Sequence, residues 1–257
     1  MSQTTYSMPK SAAPKLEALV DQIVARPGAV LDVKVLEERS AQLDISKVIE
    51  TLPEGITRED FVGILKLAML TECATDSYAA VFTEGADKYD APWLNRFNQT
   101  VWVPDEYTHY APYKYMLQSL GYSEDELQRE MRETKERVYT HCCGNSPVEL
   151  TTYGTVQEFL TDHWHGLIAK LLKPAAPYAA QSANLVKRRE TLHTVWYRDM
   201  TALQVEENPE LIELVGKTLT TFEMPGAAVA PAYGPHALDW MQRTNVDFAQ
   251  IARDLIR

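Results

Sequence analysis

No apolar run in this chain approaches the roughly 20 residues that a bilayer-spanning helix needs. Met1 to Lys10 is polar and lacks the hydrophobic centre of a secretion signal, so a cytoplasmic location is expected. Cysteine is scarce: Cys73, Cys142 and Cys143 form an odd set without zinc-type spacing. Free thiols in a reducing compartment fit that usage, and the vicinal pair is read as structural rather than redox-active. Basic charge is also short, with 25 Lys+Arg against 36 Asp+Glu and a net charge of −11. That balance disfavours nucleic acid or an anionic membrane as the main partner. Finally, there is no alternating strand pattern, tandem repeat or low-complexity tract.

What the chain does contain is helical periodicity. Its 257 residues, 45% apolar and 24% charged, suffice to bury a full core. After a loose N-terminal arm, residues 1–14, the remaining residues 15–257 read as a single all-α domain. Leu16, Leu19, Val20, Ile23 and Val24 predict a helix over 15–27 that ends at Pro27-Gly28. Short helices follow at 31–43 and 44–51, and then a long one over 58–84 opens at Thr57 with Glu59 and Asp60 in its first turn. A helix over 91–120 is interrupted by Pro104 and Pro112, which predict a kink or restart. Further helices are expected at 123–142, 148–172, 178–205 and 208–222, then a Gly/Ala/Pro loop at 225–235 and a terminal helix at 236–256.

Two stretches share one spacing: Glu106-Tyr107-Thr108-His109 and Glu190-Thr191-Leu192-His193. Positions i and i+3 lie on one helix face, so each copy can aim a carboxylate and an imidazole at one point. Two such helices, with one inward Glu from each of two others, build the di-iron or di-manganese site of ferritin-like four-helix bundles. Glu72 and Glu158 are the candidates for those two positions, and the wide gap between His109 and Glu158 holds the extra helix 123–142. Glu72 sits among apolar residues, a costly place for a carboxylate without a partner. The fold expected is therefore a ferritin-like four-helix core with additional helices. Four carboxylates and two imidazoles would give each of two metals about three protein side chains, leaving positions for O2.

A competing pair exists. Asp162 precedes His165 by the same spacing on the helix that carries Glu158, which would suit zinc or a differently arranged site. The plainer reading is that His163 and His165 are ordinary interior or surface residues, as are His141 and His236.

In order along the chain, the motifs resemble those of the soluble acyl-acyl-carrier-protein desaturases, the plastid stearoyl type and its actinobacterial relatives. The resemblance rests on Trp102-x-x-Asp105-Glu106-x-x-His109, Asn145-Ser146-Pro147, Glu158-x-x-Thr161-x-x-x-His165-Gly166, Glu190-x-x-His193 and Met224-Pro225. It covers roughly residues 60–230. It implies six ligands, Glu72, Glu106, His109, Glu158, Glu190 and His193, holding two Fe ions, with Mn as the alternative. Thr161 would stand beside the O2 position and assist proton delivery, and His165 would be a family feature outside the ligand set. The implied activity is O2-dependent introduction of a double bond into an acyl chain on acyl carrier protein. A ferredoxin-like electron donor and a homodimer come with it.

The chain departs from that pattern at Arg189, where the family has an acid that hydrogen-bonds toward a ligand histidine. Tyr107-Thr108 and Thr191-Leu192 also differ from the usual polar pairs. The scaffold supports several oxidations, so a di-iron hydroxylase or N-oxygenase is one alternative, and Arg189 keeps open another, a non-catalytic relative that binds acyl chains or carrier proteins. Lys187-Arg188-Arg189 and Arg129, Arg132, Lys135 and Arg137 are candidate landing patches for an acidic carrier, or simply solvated helix faces. Phe61, Leu65 and Met69 would line an acyl channel or belong to the core.

Overall fold

The structure, a computed structural model, describes residues 5–137, 139 and 141–256, without the side chains of Val33 and Ile256. Among the described residues every regular element is a helix, and the chain is an all-α bundle. The α-helices begin with α1 (Ala12–Val24), α2 (Val33–Ser40), α3 (Arg58–Glu72), α4 (Thr75–Lys88) and α5 (Pro92–Phe97), and the helix expected over 44–51 is a 3-10 helix, Ser46–Thr51. A π turn, Asn98–Trp102, leads into α6 (Val103–Glu106), followed by α7 (Ala111–Ser119) and α8 (Glu124–Lys135). The two longest, α9 (Pro147–Leu172) and α10 (Pro177–Glu207), pack along their length as an antiparallel pair. The chain closes with α11 (Ile212–Thr221), α12 (Gly226–Val229), α13 (Ala237–Arg243) and α14 (Phe248–Ile256).

Local chemistry explains the strongest starts. Thr57 Oγ1 accepts from Asp60 N–H while the Asp60 carboxylate accepts from Thr57 N–H, a reciprocal cap that begins α3. At α9 the Glu149 carboxylate accepts from Ser146 N–H and from the Ser146 hydroxyl, and Pro147 occupies the first turn, where its missing N–H costs nothing. Once started, α3 buries nearly its whole circumference, from Phe61 through Leu70 to Glu72. A helix apolar all round belongs at the centre of a bundle. It packs on α7 and touches α9, and one continuous apolar core runs from Leu16 to Ile251. Each fully buried side chain such as Ile64 or Phe61 contributes about 1.5–3 kcal/mol by leaving water. Phe61, Leu65 and Met69 are fully buried in this core.

Several sequence expectations need correction. The helix expected over 58–84 is two, α3 and α4, which meet at Cys73-Ala74 directly after Glu72. No Gly or Pro marks that break. The Thr75 hydroxyl donates to the Glu72 carbonyl at 2.8 Å, satisfying a backbone group that the bend leaves without its helical partner. The helix expected over 91–120 is split by the π turn and by turns at 107–110. Val103 N–H reaches back to Asn98 O, and Pro104 and Pro112 each remove a donor from the regular ladder. The helix expected over 123–142 ends at Lys135, and residues 138 and 140 lie outside the described ones. The terminal helix divides at Asn245, whose φ of 56° lies in the left-handed region.

In the N-terminal arm, residues 1–4 lie outside the described ones. Residues 5–9 are irregular but tied down: the Tyr6 hydroxyl donates to Gln204 Oε1 at 3.2 Å, and Met8 packs on the core.

Candidate metal centre

Four helical segments bring six side chains to one buried place: α3 supplies Glu72, the α6 end Glu106 and His109, α9 Glu158, and α10 Glu190 and His193. They form two overlapping sets, Glu72/Glu106/His109/Glu190 and Glu106/Glu158/Glu190/His193, with ligand atoms within 4.8 Å of one another in each. All six predicted ligands are thus brought together, and Glu106 and Glu190 belong to both sets. The first Glu-x-x-His does not lie on a regular helix, as the spacing argument supposed. Glu106 ends α6, and His109 N–H bonds Glu106 O across a tight turn that still puts both side chains on one side.

The close contacts here are not hydrogen bonds. His109 Nδ1 lies 2.7 Å from Glu190 Oε1 and 3.4 Å from Glu106 Oε1, and His193 Nδ1 lies 2.9 Å from Glu106 Oε1. Yet both Nδ1 atoms and both of those carboxylate oxygens are buried without a partner in hydrogen-bonding geometry. Such orphans cost about 1–3 kcal/mol each, more when charged. Donor atoms that crowd within about 3 Å without pointing at each other are arranged around a common centre. At metal–ligand distances of about 2.1 Å, adjacent ligand atoms fall about 3 Å apart. The four carboxylates carry four negative charges, which two divalent cations would balance. The cluster can therefore hold metal.

The electrostatics of the metal-free cluster follow from that crowding. Burial, with Glu106 and Glu158 alongside, pushes the Glu190 carboxyl well above the usual carboxylate range. Burial also raises Glu106. At Glu72 burial pulls the same way, but His109 and His165 outweigh it and hold this carboxylate low. Burial opposes protonation of His109, yet Glu106 and Glu190 raise it well above the ordinary imidazole value. At His193, Asp105 and Glu106 do the same against the same opposition.

Three surrounding side chains, Asp105, Trp102 and His165, face four of the six. Asp105, completely buried, faces both rings from behind: its Oδ2 lies 3.0 Å from His193 Nε2 and 3.6 Å from His109 Nε2. Arg189 Nε donates to the same oxygen at 2.7 Å, and Leu31 N–H donates to Oδ1 at 2.6 Å. The guanidinium also bonds Gly28 O and Ala29 O, tying the α1–α2 loop to the cluster. Arg189 thus fixes the carboxylate that both rings face, although neither Nε2 meets it in hydrogen-bonding geometry. Trp102 Nε1 donates to Glu158 Oε1 at 2.9 Å. Tyr113 OH lies 2.5 Å from His165 Nδ1, and His165 Nε2 lies 3.1 Å from Glu72 Oε1. The Glu72 carboxylate can only accept, so in a neutral His165 ring Nδ1 is the acceptor for the Tyr113 hydroxyl. His165 then carries its hydrogen on Nε2 and donates to Glu72.

The competing pair dissolves. The Asp162 carboxylate takes Lys187 Nζ at 2.7 and 2.8 Å and Thr191 Oγ1 at 2.6 Å, while His165 turns the other way to Glu72. His163 Nδ1 bonds Phe159 O, His141 packs between Tyr139 and Tyr153, and His236 lies on Trp240. Of the basic run 187–189, Lys187 and Arg189 are engaged internally. On α8, Arg129, Arg132 and Lys135 remain exposed, while Arg137 donates to Val229 O at 2.6 Å.

A cavity of about 460 Å³ adjoins the cluster. Glu72, Glu106, Glu158 and Glu190 form its floor, and Leu67, Leu160, Trp164, Phe222, Met224 and Met241 are among its apolar walls. Thr161 stands on the wall, its hydroxyl 3.1 Å from Glu190 Oε2.

No family model matches the chain, and no curated protein matches it.

Proposed function

We propose that this protein is a di-iron, O2-dependent oxidase that removes two hydrogens from an apolar acyl chain, of the kind carried on acyl carrier protein. The observation that carries the reading is the cavity whose apolar walls end on the four carboxylates of the metal cluster. Its volume of about 460 Å³ is in the range of small-molecule sites. Two ferrous ions would supply the reduction of O2 and the hydrogen abstraction. The overall balance is –CH2–CH2– plus O2, two electrons and two protons giving –CH=CH– plus two waters, the electrons coming from a ferredoxin-like donor.

The protein's own share is positional. Glu72, Glu106, His109 and Glu190 would hold one ion, and Glu106, Glu158, Glu190 and His193 the other. Asp105 faces the Nε2 side of both imidazoles, opposite the inward Nδ1 atoms, and would orient them as ligands. The Thr161 hydroxyl, on the cavity wall beside Glu190, is placed to hold and pass a proton there. The apolar wall excludes water and seats a methylene chain. Manganese is the alternative metal, and an acidic carrier docking on the exposed cations of α8 and a second copy of the chain complete the reading. The case for a non-catalytic relative rested on Arg189, and its bond to Asp105 supports the metal-binding reading instead.

The test is product analysis under 18O2 with iron-loaded protein, a reductant and a saturated acyl-carrier substrate. A product lighter by two hydrogens and free of 18O is expected. A product that retains 18O would make the protein a hydroxylase or N-oxygenase.

A further inference from the structure

Cys142 and Cys143 stand side by side in the irregular stretch before α9, where the sequence alone favours a plain structural role. Their surroundings point further. The two sulfurs lie 3.3 Å apart, and both residues are only partly buried. Cys73, by contrast, is 3% exposed within the core, where burial pushes its thiol up to about 12.

The pair is tied to one short segment. Cys142 Sγ accepts from Glu223 N–H at 3.3 Å, and its S–H can donate to Glu223 O at 3.8 Å. Cys143 S–H donates to Thr218 O at 3.8 Å, and the Thr221 hydroxyl donates to Cys143 Sγ at 3.7 Å. Glu223 sits between Phe222 and Met224, which line the cavity together with Pro225. The sulfurs thus hold the end of α11 and the stretch of cavity wall that follows it. Their roles also differ. Burial, and then the bond to Cys142, push the Cys143 thiol up to about 12, so near neutrality it keeps its hydrogen and can donate it to Cys142. Cys142 Sγ, facing that S–H and the Glu223 N–H, is the sulfur placed to attack.

We infer that Cys142 and Cys143 form a reversible modification site for small-molecule disulfides, and that closing the pair loosens the 222–225 wall of the cavity. The Cys142 sulfur attacks the reagent disulfide and releases one thiol; the Cys143 sulfur then displaces the second. The two cysteines lose two electrons, the reagent is reduced to two thiols, and the two cysteine protons end on those thiols. Neighbouring Cα atoms lie about 3.8 Å apart, below the roughly 4.4–6.8 Å usual across a disulfide, so closing the pair must reshape this turn. The bonds to Glu223 and Thr218 depend on its present shape, and a bridge removes both S–H donors. In a reducing compartment such a bridge is transient, the habit of redox-sensing rather than structural disulfides. The inference stands whether or not the cluster holds metal.

Two readouts on the whole chain test it, and neither uses a metal or a cavity ligand. In the first, the protein is treated with oxidised glutathione, and the peptide carrying both cysteines is followed by mass spectrometry. Wild type is expected to lose two hydrogens within that peptide and to regain them with dithiothreitol. Cys143→Ser should instead trap one glutathione on Cys142, and Cys142→Ser should react at least about tenfold more slowly. The second readout is hydrogen exchange over residues 218–226. Exchange there should quicken about tenfold in the bridged protein, the change expected from losing one or two hydrogen bonds, and slow again on reduction. A lasting glutathione adduct on wild type, or no reaction, would overturn the modification site. Unchanged exchange over 218–226 in the bridged protein would overturn its coupling to the cavity wall.

Discussion

At the scale of single residues, the cluster depends on side chains that never need to touch a metal. Asp105 is the clearest case, because one carboxylate serves both histidines. Asp105→Asn should lower metal affinity about 10–100-fold while leaving the six ligands in place, measured by titration with cobalt or ferrous ion. Arg189→Ala should act in the same direction by freeing Asp105. Acidity should matter too. His109 and His193 are raised by facing carboxylates, and Glu190 by burial and its like-charged neighbours, so metal must displace protons to bind. Proton release on binding is therefore expected at neutral pH, with tighter binding at pH 8 than at pH 6. Calorimetry in buffers of different ionisation enthalpy reads both.

The six residues that meet in the cluster were legible in the sequence because spacing and residue type survive without coordinates, whereas Thr161 entered only through the family resemblance. Asp105 was legible only as a letter of a motif: it stands four residues before His109, but nothing local says that it also meets His193. The sequence marked Arg189 only as a departure, and its partner could not be read because Asp105 lies far away in the chain. The Tyr113–His165–Glu72 chain links α7, α9 and α3 and has no sequence signature at all.

At the scale of elements, helix existence followed from periodicity, but the breaks near the site did not. The bend after Glu72 uses a Thr hydroxyl, and the π turn before α6 is a backbone solution to packing. Both lie within a few residues of a ligand, where local rules yield to tertiary demands. Close helix–loop contact gives a sharp test. A Cβ at Gly85 of α4 would lie 2.4 Å from the Asn145 carbonyl oxygen, a backbone atom that cannot swing away. Gly85→Ala should destabilise by about 1–3 kcal/mol. Gly216 of α11, with open space around it, should instead gain up to about 1 kcal/mol on substitution by Ala. Urea denaturation of the two variants should separate them in opposite directions.

At the scale of the whole molecule, the core binds the two ends of the chain to the site. Asp60 joins the start of α3 to α13 through Thr57, Trp240 and Arg243, and Arg243 first, with Thr57 and Trp240, holds its carboxyl well below the usual range. A depressed carboxyl contributes stability above its unfolded value, and that contribution is lost as pH falls below about 4. Asp60→Asn should therefore cost about 1–3 kcal/mol at pH 7, with the difference narrowing at pH 3. The apolar cavity between this C-terminal roof and the carboxylates was not foreseeable residue by residue. Phe61, Leu65 and Met69 had the right periodicity for a channel but belong to the core, while the lining comes from segments far apart in sequence.

The most direct test of the central claim is metal content. Protein purified after growth with iron, or reconstituted anaerobically with ferrous iron, should hold about two irons per chain, as two ligand sets predict. The Glu106→Ala/Glu190→Ala variant, lacking both shared carboxylates, should hold none while remaining helical. Absence of stoichiometric metal in the wild-type protein, even after reconstitution, would contradict the account.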